Sequence, residues 1–159
     1  MDVSYSFSVN EQMKSKGRTI LLVEDNLDDA FLTQRALKKA NIINAIYWVK
    51  DGVEALDYLV RCLERSEKLP SLVLLDIHMP RLTGIEVLRK IRSDERTNLL
   101  PVVIFSSSSQ ESDLIACYSL GVNSYIQKPI DFDQFEQVVS SIGYYWMLFN
   151  HGPTHKFDR

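Results

Sequence analysis

The sequence predicts an α/β fold, a five-stranded parallel sheet with helices on both faces, and two observations carry that prediction. Short strand-like segments alternate with helix-like ones five times from Thr19 onward. The third and fourth strand-like segments are continuous apolar runs rather than alternating ones, which suits strands buried on both faces. Such strands need cover on either side, and right-handed crossovers between parallel strands place helices there.

The elements follow in order. "TILLVE" (19–24) is a short apolar strand, and the "DNLDDA" after it offers Asp and Asn caps with acidic first-turn residues. A helix then runs to about Ala40 with Leu27, Ala30, Phe31 and Leu37 on one side. "INAIYWV" (43–49) is a second strand rich in β-branched and aromatic residues, and "DG" at 51–52 turns the chain into a helix where Ala55, Leu56, Leu59, Val60 and Leu63 recur at helical spacing. "SLVLLD" (71–76) is the third strand, and "GIEVLRKIRSD" (84–94) the third helix, with Ile85, Leu88 and Ile91 in register. "PVVIFS" (101–106) leads through a polar loop to a short helix ending near Gly121. "NSYIQK" (123–128) is the fifth strand, and the helix in "DFDQFEQVVSSIGYYWML" (131–148) sets Phe135, Val138, Val139 and Ile142 on one face.

A chain of 159 residues, 45% hydrophobic and 25% charged, has room for one domain with a real core. That domain is expected over 19–150, between a disordered lead at 1–18 and a flexible tail at 151–159. A net charge of -3 and a pI of 5.6 give no global attraction to nucleic acid or anionic lipid, so neither is expected as a partner. Cys62 and Cys117 stand alone in apolar-periodic segments without metal-ligand spacing and read as buried thiols. The N-terminus lacks the apolar run of a signal peptide, and no stretch is long and apolar enough to span a bilayer, so a cytoplasmic protein is expected.

In an open parallel sheet, ligands bind beyond the carboxyl ends of the strands. Those ends carry Glu24 and Asp25 after strand one, Asp76 after strand three, Ser106 after strand four and Lys128 after strand five. Taken singly, each has a plainer reading: Asp25 as a helix cap, Glu24 as a strand end, Ser106 as one of four consecutive serines, Lys128 as a turn before Pro129. Asp76 resists that treatment, because it closes a run buried on both faces and a charge there is costly unless paired. Together, three carboxylates, a hydroxyl and an ammonium on one rim suit a hard divalent cation and a phosphate, since Mg²⁺ uses few carboxylates and completes its shell with phosphate oxygens and water. Asp76 would be the nucleophile, with Lys128 and Ser106 each taking a phosphoryl oxygen. No P-loop, GxGxxG or HExxH offers a rival centre.

With "VEDN", "LLDIHMPRLTG", "VVIFSSSS" and "YIQKPI" in order and spacing, the sequence resembles a response-regulator receiver domain of two-component signalling over about residues 19–142. The resemblance implies a doubly wound, flavodoxin-like strand order 2-1-3-4-5. It also implies Glu24 and Asp25 as the acidic metal pair, Asp76 as phosphoacceptor, Ser106 as conformational hydroxyl, Lys128 as phosphate partner and Tyr125 as the aromatic that changes rotamer. The cofactor would be Mg²⁺ or Mn²⁺, with the main-chain carbonyl of His78 as a further ligand. Lys128–Pro129 would be a cis peptide, and the His78 ring, with Ser108, a candidate for tuning dephosphorylation. Ser107 stands where Ala is common, and Glu24 where Asp is more frequent.

The phosphodonor implied is a sensor histidine kinase, and the message would leave by protein contact through helix four, strand five and helix five rather than by enzymatic turnover. The aromatics of "YYWMLF" (144–149) surround their helix and cannot all face one core. Tyr144, Tyr145, Trp146 and Phe149 are therefore expected at an interface, with homodimerisation the working reading. The connection "RCLERSEKLPS" before strand three and this aromatic helix resemble the stand-alone regulators that accompany cyanobacterial and bacterial phytochromes, which would make the donor a light-sensing kinase. Three other functions are weighed. A degenerate receiver used only for docking would lack acceptor-site residue types that are all present here. A haloacid-dehalogenase-type phosphatase would need a second Asp where His78 stands. A flavin-binding protein would need a Gly/Ser/Thr-rich loop where "EDNLDD" stands.

Overall fold

The computed structural model describes residues 17–42 and 45–153. The predicted lead up to residue 16, the start of the predicted second strand at 43–44 and the tail from 154 lie outside the described residues. Five strands and five helices alternate: β1 Thr19–Val23, α1 Leu27–Lys39, β2 Ala45–Val49, α2 Gly52–Glu64, β3 Leu72–Leu75, α3 Gly84–Ser93, β4 Val102–Ser106, α4 Glu111–Ser119, β5 Ser124–Gln127 and α5 Phe132–Tyr144. All strand pairs are parallel, in the order β2-β1-β3-β4-β5. This is the doubly wound arrangement that the sequence implied.

The sheet separates two cores. On one face Leu21, Val23, Val73, Leu75 and Ile104 pack against Ala55 and Leu59 of α2, Leu88 and Ile91 of α3, and Cys117 of α4. On the other, Ile20, Leu22, Leu74 and Phe105 meet Ala36 and Leu37 of α1 and Phe135, Val139 and Ile142 of α5. Each fully buried aliphatic side chain contributes about 1.5–3 kcal/mol through its removal from water. Both cysteines are buried and unpaired, as the sequence indicated.

Three expectations need correction. Leu27 and Phe31 do not face the core, being 62% and 64% exposed; the buried stripe of α1 is Ala30, Thr33, Ala36 and Leu37. The chain at the end of α1 approaches α5 closely: a Cβ added at Gly143 of α5 would lie 2.2 Å from Ile42 and 2.7 Å from Leu37. On α2, Val60 likewise faces outward while Cys62 takes the inner position. The last helix does not run straight through the aromatics either. It widens after Tyr144 into a π-helical turn, Tyr145–Phe149, whose Met147 is buried and whose Trp146 and Met147 carbonyls accept from Arg18.

Candidate functional site

The register lines up Val49, Val23, Leu75, Ile104 and Tyr125 on one rung of the sheet, so Glu24 and Asp76 are the next residues outward on adjacent central strands. The backbone there is still tied to the sheet, Glu24 N–H donating to Val49 O at 3.1 Å and Asp76 N–H to Val23 O at 3.1 Å. Both carboxylates are therefore held at the lip of the core, Glu24 2% and Asp76 7% exposed. Asp76 Oδ1 accepts from Ile77 N–H at 2.7 Å, which fixes its rotamer. The loop after Asp76 folds back tightly: Gly84 N–H donates to Ile77 O at 2.8 Å, and a Cβ at Gly84 would lie 2.0 Å from Asp76 O. Only glycine permits that approach.

Asp25 is not the helix cap that was its plainer reading. Asn26 caps α1, its Oδ1 accepting from Asp29 N–H at 3.0 Å, and Asp25 is exposed beside the two buried acids. Oxygens of Glu24, Asp25 and Asp76 lie within 4.8 Å of one another. Opposite ligands on an octahedral Mg²⁺ stand about 4 Å apart, so this donor set fits a hard divalent cation after a small closure. Burial first, and then the charge of Asp76, push the Glu24 carboxyl up to about 7 from its ordinary 4.5.

Lys128 answers these charges. Its N–H donates to Ser106 O at 2.8 Å, continuing the β4–β5 ladder and pointing the side chain across the rim. Nζ lies 2.7 Å from Glu24, 2.8 Å from Asp29 and 3.3 Å from Asp76. Burial alone would lower the Lys128 pKa, but Asp76 and the bonds to Asp29 and Glu24 outweigh it and raise the pKa above its ordinary value. Asp29 escaped the sequence reading, because an acid in the first turn of a helix already has a sufficient explanation in the helix dipole. The Lys128–Pro129 peptide is trans, not cis as the resemblance implied; no cis bond occurs among the described residues. Trans is the intrinsically preferred isomer by about 0.5–1 kcal/mol.

On the other side, Ser106 is fully buried, and its Oγ accepts from Ser108 N–H at 3.3 Å. The Ser108 carbonyl accepts from Tyr125 OH at 2.9 Å, and the Ser108 hydroxyl donates to Asp113 Oδ2 at 2.6 Å. The exposed His78 ring approaches the same oxygen at 3.4 Å. His78 and Ser108, paired from the sequence as candidate tuning residues, thus meet through Asp113, which sequence reasoning did not single out. Arg81, at φ 67°, pins the loop after Asp76 to the start of α2 through Nε and Nη2 contacts of 3.0 and 2.6 Å to Asp51 Oδ2.

The aromatic end is a mixture. Tyr144, Tyr145 and Phe149 are exposed, whereas Trp146 is half-buried and meets Tyr145 edge to face at 5.0 Å. None of the described helices is long and apolar enough to cross a membrane.

Comparison with known proteins agrees with this geometry. Residues 20–140 match the response regulator receiver domain family. The probable methanogenesis regulatory protein FilR2 of Methanothrix harundinacea is 41% identical, over 84% of this chain and 86% of that protein. The response regulator Rcp1 of Synechocystis is 34% identical over 82% of this chain and 89% of its own length. Among solved structures, the phosphorylated cyanobacterial phytochrome response regulator RcpA superposes with a TM-score of 0.79 at 36% identity, covering 87% of this chain and 100% of that one. The match over residues 20–140 and the superposition of the whole sheet agree, and this chain belongs to the response regulator receiver domain family.

Proposed function

We propose that the chain is a phosphorylation-switched signalling protein of the cytoplasm: a sensor histidine kinase transfers a phosphoryl group to Asp76, with Mg²⁺ or Mn²⁺ held by Glu24, Asp25, Asp76 and the His78 carbonyl. The observation that carries this reading is Lys128 Nζ, which lies within 3.3 Å of three carboxylates at the strand ends and so stands where a phosphate on Asp76 would need a counter-charge. In the transfer, an Asp76 oxygen attacks phosphorus in line while the P–N bond to the donor imidazole breaks, its electron pair staying on nitrogen. The bound cation supplies neutralisation of charge on the phosphoryl oxygens. Ile77 N–H holds Asp76 in one rotamer, Lys128 takes one phosphoryl oxygen, and the Ser106 hydroxyl turns toward another. The chain thus performs one transfer onto itself rather than turning over a substrate.

Phosphate adds about one negative charge at Asp76, and its pull on Ser106 would draw the β4–α4 loop inward and free Tyr125 to change rotamer. The consequence reaches α4, β5 and α5, where Ile115, Tyr118 and the aromatics Tyr144, Tyr145 and Phe149 are exposed. We assign that face, with Trp146 at its edge, to a homodimer contact. The phytochrome association of RcpA, and of a bacteriophytochrome response regulator at 40% identity, supports a light-sensing kinase as donor.

Intact-mass analysis after incubation with acetyl phosphate and Mg²⁺ tests the acceptor. One phosphate on the wild type and none on Asp76→Asn is expected; equal labelling of both ends the assignment. For the dimer, Trp146→Ala should sediment as a smaller species than the wild type, and two monomers at micromolar concentration would refute it.

A further inference from the structure

Lys128 is shared unequally. Its two shortest ion pairs run not to the acceptor but to Glu24 and Asp29, at 2.7 and 2.8 Å, while Asp76 stands at 3.3 Å. Glu24 belongs to the carboxylate trio suited to a cation, but Asp29 does not. Asp29 sits in the first turn of α1, its side chain 28% exposed, and reaches an ammonium that is itself only 6% exposed. Its backbone is anchored at the start of the helix, where the Asp29 N–H donates to Asn26 Oδ1 at 3.0 Å.

We propose that Asp29 is a resting-state counterion that positions Lys128 and, by competing with phosphate for it, limits how long the protein stays phosphorylated. The inference rests on Asp76 being the phosphoacceptor. Of the partners of Lys128, Glu24 gains a cation when the metal binds, and Asp76 becomes the phosphorylated group. Asp29 alone gains nothing. When the phosphoryl oxygens draw Lys128 over, Asp29 loses its share of the ammonium and stays behind as an additional negative charge near a dianionic group. The same charge has the opposite effect on the metal. Before phosphorylation the site holds four carboxylates against one ammonium, so Asp29 adds to the field that attracts a divalent cation. One carboxylate therefore favours loading of the cation and opposes retention of phosphate, a pair of signs that a purely structural role would not produce.

Asp29→Asn tests this directly, because it keeps the side-chain volume and an oxygen for Lys128 while removing the charge. Mg²⁺ affinity, by calorimetry, should fall about threefold to tenfold, whereas the half-life of the phosphorylated protein, at saturating Mg²⁺, should lengthen by a similar factor. Asp29→Glu should restore both toward wild type. Asp29→Ser should move both in the same directions as Asn, which covers the case of a poorly folded Asn variant. Asp28→Asn removes an exposed neighbouring acid of the same helical turn and should change neither. An unchanged or shorter half-life in Asp29→Asn, or an equal change in Asp28→Asn, overturns the proposal. If the wild type takes no phosphoryl group at all, the reading of Asp76 fails instead, and the Mg²⁺ titrations alone decide whether the Asp29 charge reaches the cluster.

Discussion

Around Lys128 the site is tied by charge and hidden from water, whereas the Ser106–Tyr125 side is tied by single hydrogen bonds and reaches the surface. The first region has three ion pairs of 2.7, 2.8 and 3.3 Å converging on one buried ammonium. The second passes from buried Ser106 through Ser108 to half-buried Tyr125, Asp113 and exposed His78, with neutral contacts of 3.3 and 2.9 Å at its centre. A buried charge pair is costly to break from one side, because the remaining charge has no water to turn to. A neutral hydrogen bond contributes only about 0.5–1.5 kcal/mol net. The difference separates two tasks: the charged side must present the same geometry to every incoming phosphoryl group, and the neutral side must give way once a phosphate has arrived.

The largest expected effect comes from removing the ammonium. Lys128→Met leaves Glu24 and Asp76 buried without their cation and should cost about 3 kcal/mol at pH 8, measured by urea unfolding with EDTA present. At pH 6 the loss should be smaller, since the Glu24 carboxyl, pushed up to about 7, then takes a proton and needs no partner. Saturating Mg²⁺ should recover part of the pH 8 loss. A loss of equal size at both pH values would mean that the methionine disturbs packing and that charge does not hold this side together.

Next in size is the pH dependence of the wild type itself. The folded protein holds a proton on Glu24 up to about pH 7, whereas the unfolded chain releases it near 4.5. Between those values the folded state binds more protons, so stability falls as pH rises and levels off above about 7, by an amount on the order of 2 kcal/mol. The raised Lys128 pKa adds stability that is lost only at far higher pH and leaves this window untouched. Mg²⁺ needs the carboxylate charged, so it should flatten the slope and release protons on binding near pH 6. Stability that climbs from pH 5.5 to 7.5 in EDTA would contradict the buried, crowded state of Glu24.

The same contrast explains what was legible in the sequence. The rim residues Glu24, Asp25, Asp76, Ser106 and Lys128 could be placed together because strand ends are marked by apolar runs that stop abruptly, and parallel winding brings those ends to one side. Asp29 and Asp113 carry no such mark. Each is an acid in the first turn of a helix, and what distinguishes them is a partner far along the chain: Lys128 for Asp29, His78 and Ser108 for Asp113. The partly misplaced face of α1, right for Ala30 and Leu37 and wrong for Leu27 and Phe31, has a related cause. Leu27 and Phe31 fall at helical spacing with Ala30 and Leu37, yet the stripe that α1 buries runs through Ala30, Thr33, Ala36 and Leu37. Periodicity reports a stripe, and only packing decides which stripe is covered. The π-helical turn at Tyr145–Phe149 was likewise invisible, since local sequence does not say where a helix will widen.

The smallest effect probes the neutral side. Tyr125→Phe removes only the hydroxyl that donates to Ser108 O at 2.9 Å and leaves the ring packed on the core beneath. Stability should fall by about 1 kcal/mol, because the Ser108 carbonyl is near enough to the surface to find water in exchange. The amides of the β4–α4 loop, residues 107–110, should exchange hydrogen faster, since one of the bonds fixing that loop is gone. Acceptance of phosphate by Asp76 should stay near the wild-type rate, because Lys128, Ile77 N–H and the carboxylate cluster do not depend on the Tyr125 hydroxyl. If labelling instead slows by an order of magnitude, the two sides share one rigid network and the division between a fixed acceptor and a yielding switch does not hold.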